Sequence, residues 1–404
     1  MIRILVVCLA IYVAATGNMY AADNYLPGDR AGLKPALEQK GITTEAVLTT
    51  DFLYNSHGGA RRDGTILGNM DVTFKMDTDK AGWWQNGTLF LYFLGNFGSN
   101  PFMTEIVGDV QVSSNIEANH AVKLYEAWYE HKFNDGRISI LAGLHDFNSE
   151  FDALEYASLF INSSFGISPD ISQVGPSIFC TTALGGRLKI KPTETNYVMA
   201  ALYDGVPGDP DHPKRTAIIL KKDDGVFAAV EAGLSAGQSG GKEYFKIGAG
   251  AWLHTAHVES FDGQQNDENH GFYFIAEKTL FAENGDGQGL GGFVQLGRAD
   301  DHRNQIARYW GAGLNYTGLI TGRDRDSIGL AVASSRNGGK FMEYSENVER
   351  VPVDHTETAI ELTYRAELRP WLSIQPDFQY IINPGMNRSL ENAFQIGSRV
   401  KIIF

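Results

Sequence analysis

The chain has 404 residues and a formal net charge of −14, so it is long enough for one large domain, and no basic excess favours a nucleic-acid partner. Glycine is enriched, 45 of 404 against a usual ~7%, which suits a strongly curved, tightly turned sheet. After the first two dozen residues no apolar run reaches 18, so no transmembrane helix is expected.

The N-terminus, MIRILVVCLAIYVAATGNMYAADN, places Arg3 before an apolar stretch from Ile4 to Ala15, then small residues. That is the pattern of a secretory signal peptide, taken as residues 1–22, with cleavage after Gly17 or near Ala21 or Ala22 as the options. Cys8 would leave with it. Cys180 would then be the only cysteine and could form no intrachain disulfide. Residues 23–42 read as a short periplasmic segment with a helix from Gly32 to Lys40, stopped by Gly41.

From Thr43 the pattern changes to strands of period two. The predicted strands begin with 43–54, 66–77, 88–96, 122–133 and 137–146. They continue with 184–191, 196–204, 226–234, 245–258 and 271–281. After 289–298, 307–317 and 327–335 come three terminal runs within Thr356–Phe404. In the first of these, Ile360, Leu362, Tyr364, Ala366 and Leu368 oppose Glu361, Thr363, Arg365 and Glu367. The count is 16, with all strands in residues 43–404. The runs are about ten residues long and keep full charges on one face, which suits a lipid-facing side and a wet interior. A soluble sandwich also alternates, but its strands are typically about five or six residues. The connections also sort alternately into short (NDG, PTET, ELRP) and long (97–121, 147–183, 205–225, 259–270, 336–355). The expected fold is therefore all-β: a transmembrane antiparallel barrel of about 16 strands with short periplasmic turns and long extracellular loops. Sixteen strands leave an aqueous channel.

The longest connection, residues 147–183, is apolar, and Phe151, Leu154, Tyr156, Leu159 and Phe160 approach helical spacing. It is expected to carry a short helix and to fold into the barrel, narrowing it. Parity groups Glu126, Trp128 and Glu130 on one strand face, and Arg187, Lys189 and Lys191 on another. Aromatic faces and charged side chains in a channel suit saccharides, which offer C–H patches and hydroxyls. The candidate pore-lining residues are Glu126, Trp128, Glu130, Arg187 and Lys189, with Phe151, Asp152 and Glu155 from the loop. Charged lumen residues are ordinary in any water-filled porin. Trp83, Trp84 and Trp371 fall at short turns, where an interfacial aromatic girdle belongs.

No enzyme site, cofactor or metal is expected. Gly233-Leu-Ser-Ala-Gly237 matches G-x-S-x-G, but Gln238-Ser-Gly-Gly241 follows where a nucleophile elbow needs a helix. His254 and His257, read on one strand, fall on opposite faces and cannot share a metal.

Several stretches carry a family resemblance. They are LEQKGITTEAVLTTDFLYNSHGG (37–59), LYEAWYEHKFNDGRISILAGLHDFNSEF (124–151), FINSSFGISP (160–169), RDRDSIGLAVA (323–333) and ELTYRAELRPWLSIQPDFQYIINPG (361–385). Nearly the whole mature chain resembles the carbohydrate-selective porins of the OprB type. The resemblance implies a bacterial outer-membrane channel of 16 strands, narrowed by infolded loops, favouring glucose and related sugars, with arginines and aromatics at the constriction. The expected function is passive diffusion of small saccharides through a barrel embedded in outer-membrane lipid. The alternatives are a general or other-solute porin and a barrel hydrolase. A homo-oligomer stays open.

Overall fold

The computed structural model describes residues 33–99, 101–263, 268–283 and 287–404. The signal peptide and residues 23–32 lie outside the described residues. One helical turn, α1 (Leu33–Glu38), shorter than the predicted Gly32–Lys40, precedes the first strand.

Sixteen strands follow. They are β1 (Ile42–Gly59), β2 (Gly64–Asp77), β3 (Gly87–Gly98), β4 (Ala121–Phe133), β5 (Ile138–His145), β6 (Ala183–Ile190), β7 (Asn196–Asp204) and β8 (Val226–Ala236). Then come β9 (Phe245–His254), β10 (Asn269–Ala282), β11 (Gly289–Ala299), β12 (Ile306–Thr317), β13 (Ser327–Asn337), β14 (Thr356–Arg369), β15 (Leu372–Ile382) and β16 (Glu391–Ile403). Each pairs antiparallel with its sequence neighbours, and β1 pairs with β16, from Val47 opposite Ile403 to Gly59 opposite Glu391. Closure removes both sheet edges, the condition for strands in a bilayer.

Alternation explains which way each strand faces. Phe272, Phe274, Leu296, Trp310 and Leu330 are exposed on the outer wall, while Tyr273, Ile275, Gln295 and Tyr309 on the same strands are buried inside. Trp83 and Trp84 are exposed at the short β2–β3 turn, with the Trp84 indole N–H on the Tyr129 hydroxyl at 2.6 Å. The loops sort as expected with three exceptions. The β1–β2, β11–β12 and β15–β16 connections, residues 60–63, 300–305 and 383–390, are short although they lie on the long-loop side. β9 stops at His254, so His257 sits in a loop and not on the predicted strand.

The segment between β5 and β6 enters the barrel. In place of one helix it forms 3-10 turns at Phe147–Ser149 and Tyr156–Leu159 and single turns α2 (Ser163–Gly166) and α3 (Pro169–Ser172). Phe147, Phe151, Phe160, Phe165 and Ile171 are buried against Tyr203, Phe227, Tyr273, Phe293 and Ala333 on the inner wall. Burying such side chains stabilises by about 1.5–3 kcal/mol each. The wall makes room with glycine. A Cβ at Gly291 would lie 2.1 Å from the Tyr156 ring, and one at Gly329 would lie 2.7 Å from Phe160. A second segment, between β3 and β4, also turns inward. The two are joined by Asn115 N–H to the Ile161 carbonyl and Ser163 N–H to the Val112 carbonyl, both 2.9 Å.

Irregular backbone inside a barrel needs partners for its N–H groups. Wall glutamates supply them. Glu231 accepts from Asp152 N–H (3.1 Å) and Glu277 from Glu155 and Tyr156 N–H (3.0 and 2.8 Å). Glu361 accepts from Ile161 and Asn162 N–H (2.7 and 2.9 Å), and Glu357 holds Val110 and Gln111 N–H of the second segment, both at 3.0 Å. Glu277→Ala strands the buried Tyr156 amide, the part-buried Glu155 amide and the Tyr244 hydroxyl that donates to Glu277, at about 1–3 kcal/mol for each buried group. In the folded, detergent-solubilised variant, limited proteolysis is expected to cut near residues 150–160 many times faster than in the parent. The heat-dependent shift in gel mobility of a closed barrel should persist. Unchanged protease resistance would contradict the anchoring role.

Candidate functional site

The inserted segments cover the inner faces of β7 to β15 and leave the inner wall of β2 to β6 facing the remaining space. Register fixes that face. Trp128 opposes Phe90 and Gly143, Glu130 opposes Leu141, Leu141 opposes Arg187, and Ser139 opposes Lys189. Glu126, Trp128, Glu130, Arg187 and Lys189 therefore all point into the barrel.

Two structures occupy this wall. The first is an aromatic strip. Trp128 stacks on Phe90 with ring centroids 4.8 Å apart, Phe90 meets Tyr92 at 6.4 Å, and Tyr92 meets Tyr125 edge-on at 5.0 Å. Polar groups pin the strip. The Trp128 indole N–H donates to Glu126 at 2.7 Å, and the Tyr92 hydroxyl donates to Asp71 at 2.6 Å. Tyr125 is inside because a bulge between Tyr92 and Phe93 shifts the pairing by one residue. Its hydroxyl donates to Asp146 at 2.6 Å.

The second is a charge knot on Arg187, which is 3% exposed. Its guanidinium donates to Glu130 (2.9 Å), twice to Glu150 (2.5 and 3.1 Å) and to Ser139. Lys189 lies 3.6 Å from Glu150, and Lys132 lies 3.6 Å from Glu130. Such forked, charge-assisted pairing fixes the planar head in place. Across the barrel seam Arg399 grips Asp51 through two bonds of 2.7 and 2.8 Å and reaches Asn115 at 2.7 Å.

Three of the sequence-based candidates, Phe151, Asp152 and Glu155, are not on this wall. Phe151 is fully buried and stacks on Phe147 at 4.8 Å, so its ring supports the inserted segment and does not meet water. Asp152 is also fully buried and accepts from Ser168 N–H at 2.8 Å. Burial pushes its carboxyl up to about 7, opposed by the Ser168 hydrogen bond and reinforced by Glu231, while burial and Asp152 drive Asp170 well above the carboxylate range. Glu155 is exposed and borders a polar side cavity of about 240 Å³ with Ser158, Thr279, Asn315 and Arg365. The sequence reading missed Glu150, Phe90 and Tyr92. The last two sit on the same strand parity and oppose Trp128 and Glu126 in the pairing, a signal that the alternation of 88–96 carried. Ser235 lies near the end of β8, and the chain turns back through 237–244 into β9 without a helix.

A closed 16-strand barrel with a wet, charged inner wall, narrowed by inserted loops, defines an outer-membrane porin, a channel rather than an enzyme. The family model for "carbohydrate-selective porin, OprB family" matches residues 61–404, and the chain belongs to that family. Its place is the bacterial outer membrane and its solutes are carbohydrates. Over 433 aligned positions the chain is 23% identical to Porin B of Pseudomonas aeruginosa, covering 95% of this chain and 94% of that one. It is 23% identical over 420 positions to the putative porin QuiX of Acinetobacter baylyi, covering 94% and 93%. The high-pH structure of Pseudomonas putida OprB superposes with a TM-score of 0.83 at 19% identity, covering 96% of this chain and all of that one. That likeness is one of fold.

Arg187→Gln removes the charge that balances Glu130 and Glu150. The cation-over-anion permeability ratio, read from the reversal potential in a KCl gradient, is expected to rise roughly twofold or more. An unchanged ratio would show that permeating ions do not sense the knot.

Proposed function

We propose that this porin lets small neutral saccharides of the glucose type diffuse passively into the periplasm, past the wall of β3 to β6. The single observation that carries this reading is the strip of Trp128, Phe90 and Tyr92 set beside Glu126, Glu130 and Arg187. A pyranose presents apolar C–H faces and a rim of hydroxyls. Ring faces take the first, and carboxylates and a guanidinium take the second. The polar groups already have protein partners, so a sugar hydroxyl gains only the bonding capacity left over. That supports weak contacts at several successive positions, which favour flux over retention. The pairing of Arg187 with two glutamates lowers the local net charge, which supports a neutral solute over an ion.

Trp128→Ala removes the largest ring and its bond to Glu126. In proteoliposomes, the half-saturating concentration for labelled glucose entry is expected to rise about three- to tenfold, equivalent to about 0.5–1.5 kcal/mol, while KCl conductance stays near the parent value. Glucose entry indifferent to the substitution would remove the aromatic strip from the account and favour a general porin.

A further inference from the structure

The outer wall carries a feature that the channel does not use. Gly297, Tyr309 and Ser335 face inward, with the Tyr309 hydroxyl on the Ser164 carbonyl at 2.6 Å. The next residues, Arg298 on β11, Arg308 on β12 and Arg336 on β13, therefore face outward, and all three are exposed. Arg298 lies directly opposite Arg308, and Arg308 directly opposite Arg336. Directly opposed residues have Cβ atoms about 5 Å apart, and like charges there are destabilising. Among the described residues no ion pair or side-chain hydrogen bond joins any of the three to a partner. Asp300 and Asp301 border a polar cavity of about 260 Å³ beside Arg298 and Arg308, but neither makes an ion pair with them. Asp300 pairs instead with Arg303 at 3.4 Å.

The row sits at the extracellular ends of its strands. Membrane-ward of it the same three strands turn apolar. Leu296 opposes Trp310, and Val294, Ala312 and Val332 form the next rung. Those last three residues line an outward-facing apolar groove of about 720 Å³. Guanidiniums at headgroup height above an acyl-sized groove match one amphipathic occupant in both charge and position.

We propose that Arg298, Arg308 and Arg336 form a docking site for a phosphorylated lipid of the outer leaflet, with its phosphates on the arginine row and an acyl chain in the groove below. The phosphate supplies the counter-charge that the protein lacks, and arginine forks match its oxygens.

The test uses full-length, folded protein in detergent, with retention of bis-phosphorylated lipid A measured by native mass spectrometry and by titration. The triple variant R298Q/R308Q/R336Q is expected to bind about a hundredfold more weakly, each charge contributing roughly fivefold. The parent should retain the dephosphorylated lipid no better than that variant does. A heat-dependent gel shift shows that the variant barrel is closed. Should it not close, the single variant R308Q replaces it, with about a fivefold loss expected. Equal retention by parent and folded variant, or equal binding of the dephosphorylated lipid, would overturn the assignment. So would binding of inorganic phosphate alone with no lipid retained, which would make the row a free-anion site.

Discussion

The structure depends on buried carboxylates that accept hydrogen bonds from backbone amides in the barrel interior. A barrel wall has few backbone groups to offer, because its own ladder uses most of them. A chain that enters the lumen must therefore find acceptors among wall side chains or on inserted backbone, as Asn115 and Ser163 N–H do on the Ile161 and Val112 carbonyls. Glu231, Glu277, Glu361 and Glu357 meet that need at successive points along two inserted segments. Tyrosine hydroxyls from Tyr197, Tyr273 and Tyr244 fill remaining acceptor positions on Glu231 and Glu277. A carboxylate bonded this way fixes the position of the amides it holds as well as compensating them.

The consequence is a lumen with unlike halves. On the side of β7 to β13, glycine and alanine on the wall let phenylalanines of the inserted segment pack against it and become buried. That half behaves as a hydrophobic core placed inside a channel. On the side of β2 to β6, Phe90, Tyr92, Trp128, Glu130 and Lys189 stay partly exposed around the buried Arg187 and Glu126. Arg187 joins the halves, since Glu130 belongs to the wall and Glu150 to the inserted segment. The position of the segment and the chemistry of the passage are thus set together.

Much of the fold was legible because lipid and water impose period two on each strand, and the last three strands show it without interruption. The outer-wall apolar residues and the sorting of loop lengths follow from the same two solvents. The infolding of 147–183 was legible from its apolar content, but not its local form. Phe151 and Leu154 approach helical spacing, yet the segment is shaped by where wall acceptors lie, and it breaks into separate short turns. The candidate site was legible where parity sufficed, as for Trp128, Glu130 and Arg187. It was not legible for Glu150, whose partner is distant in sequence, nor for Tyr125, which a bulge turns inward against simple alternation. Asp152 was misplaced because nothing in a sequence distinguishes a loop carboxyl facing water from one facing Ser168 N–H.

The central claim is that the space left beside the inserted segments holds sugars weakly and selectively. Single-channel current through the parent protein in a planar bilayer, recorded while glucose is titrated on either side, tests it most directly. The account requires saturable, reversible reduction of the current by glucose, from both sides and without an energy source. It also requires no comparable reduction by a zwitterionic amino acid of similar size. Open current indifferent to glucose, or equally reduced by the amino acid, would contradict it.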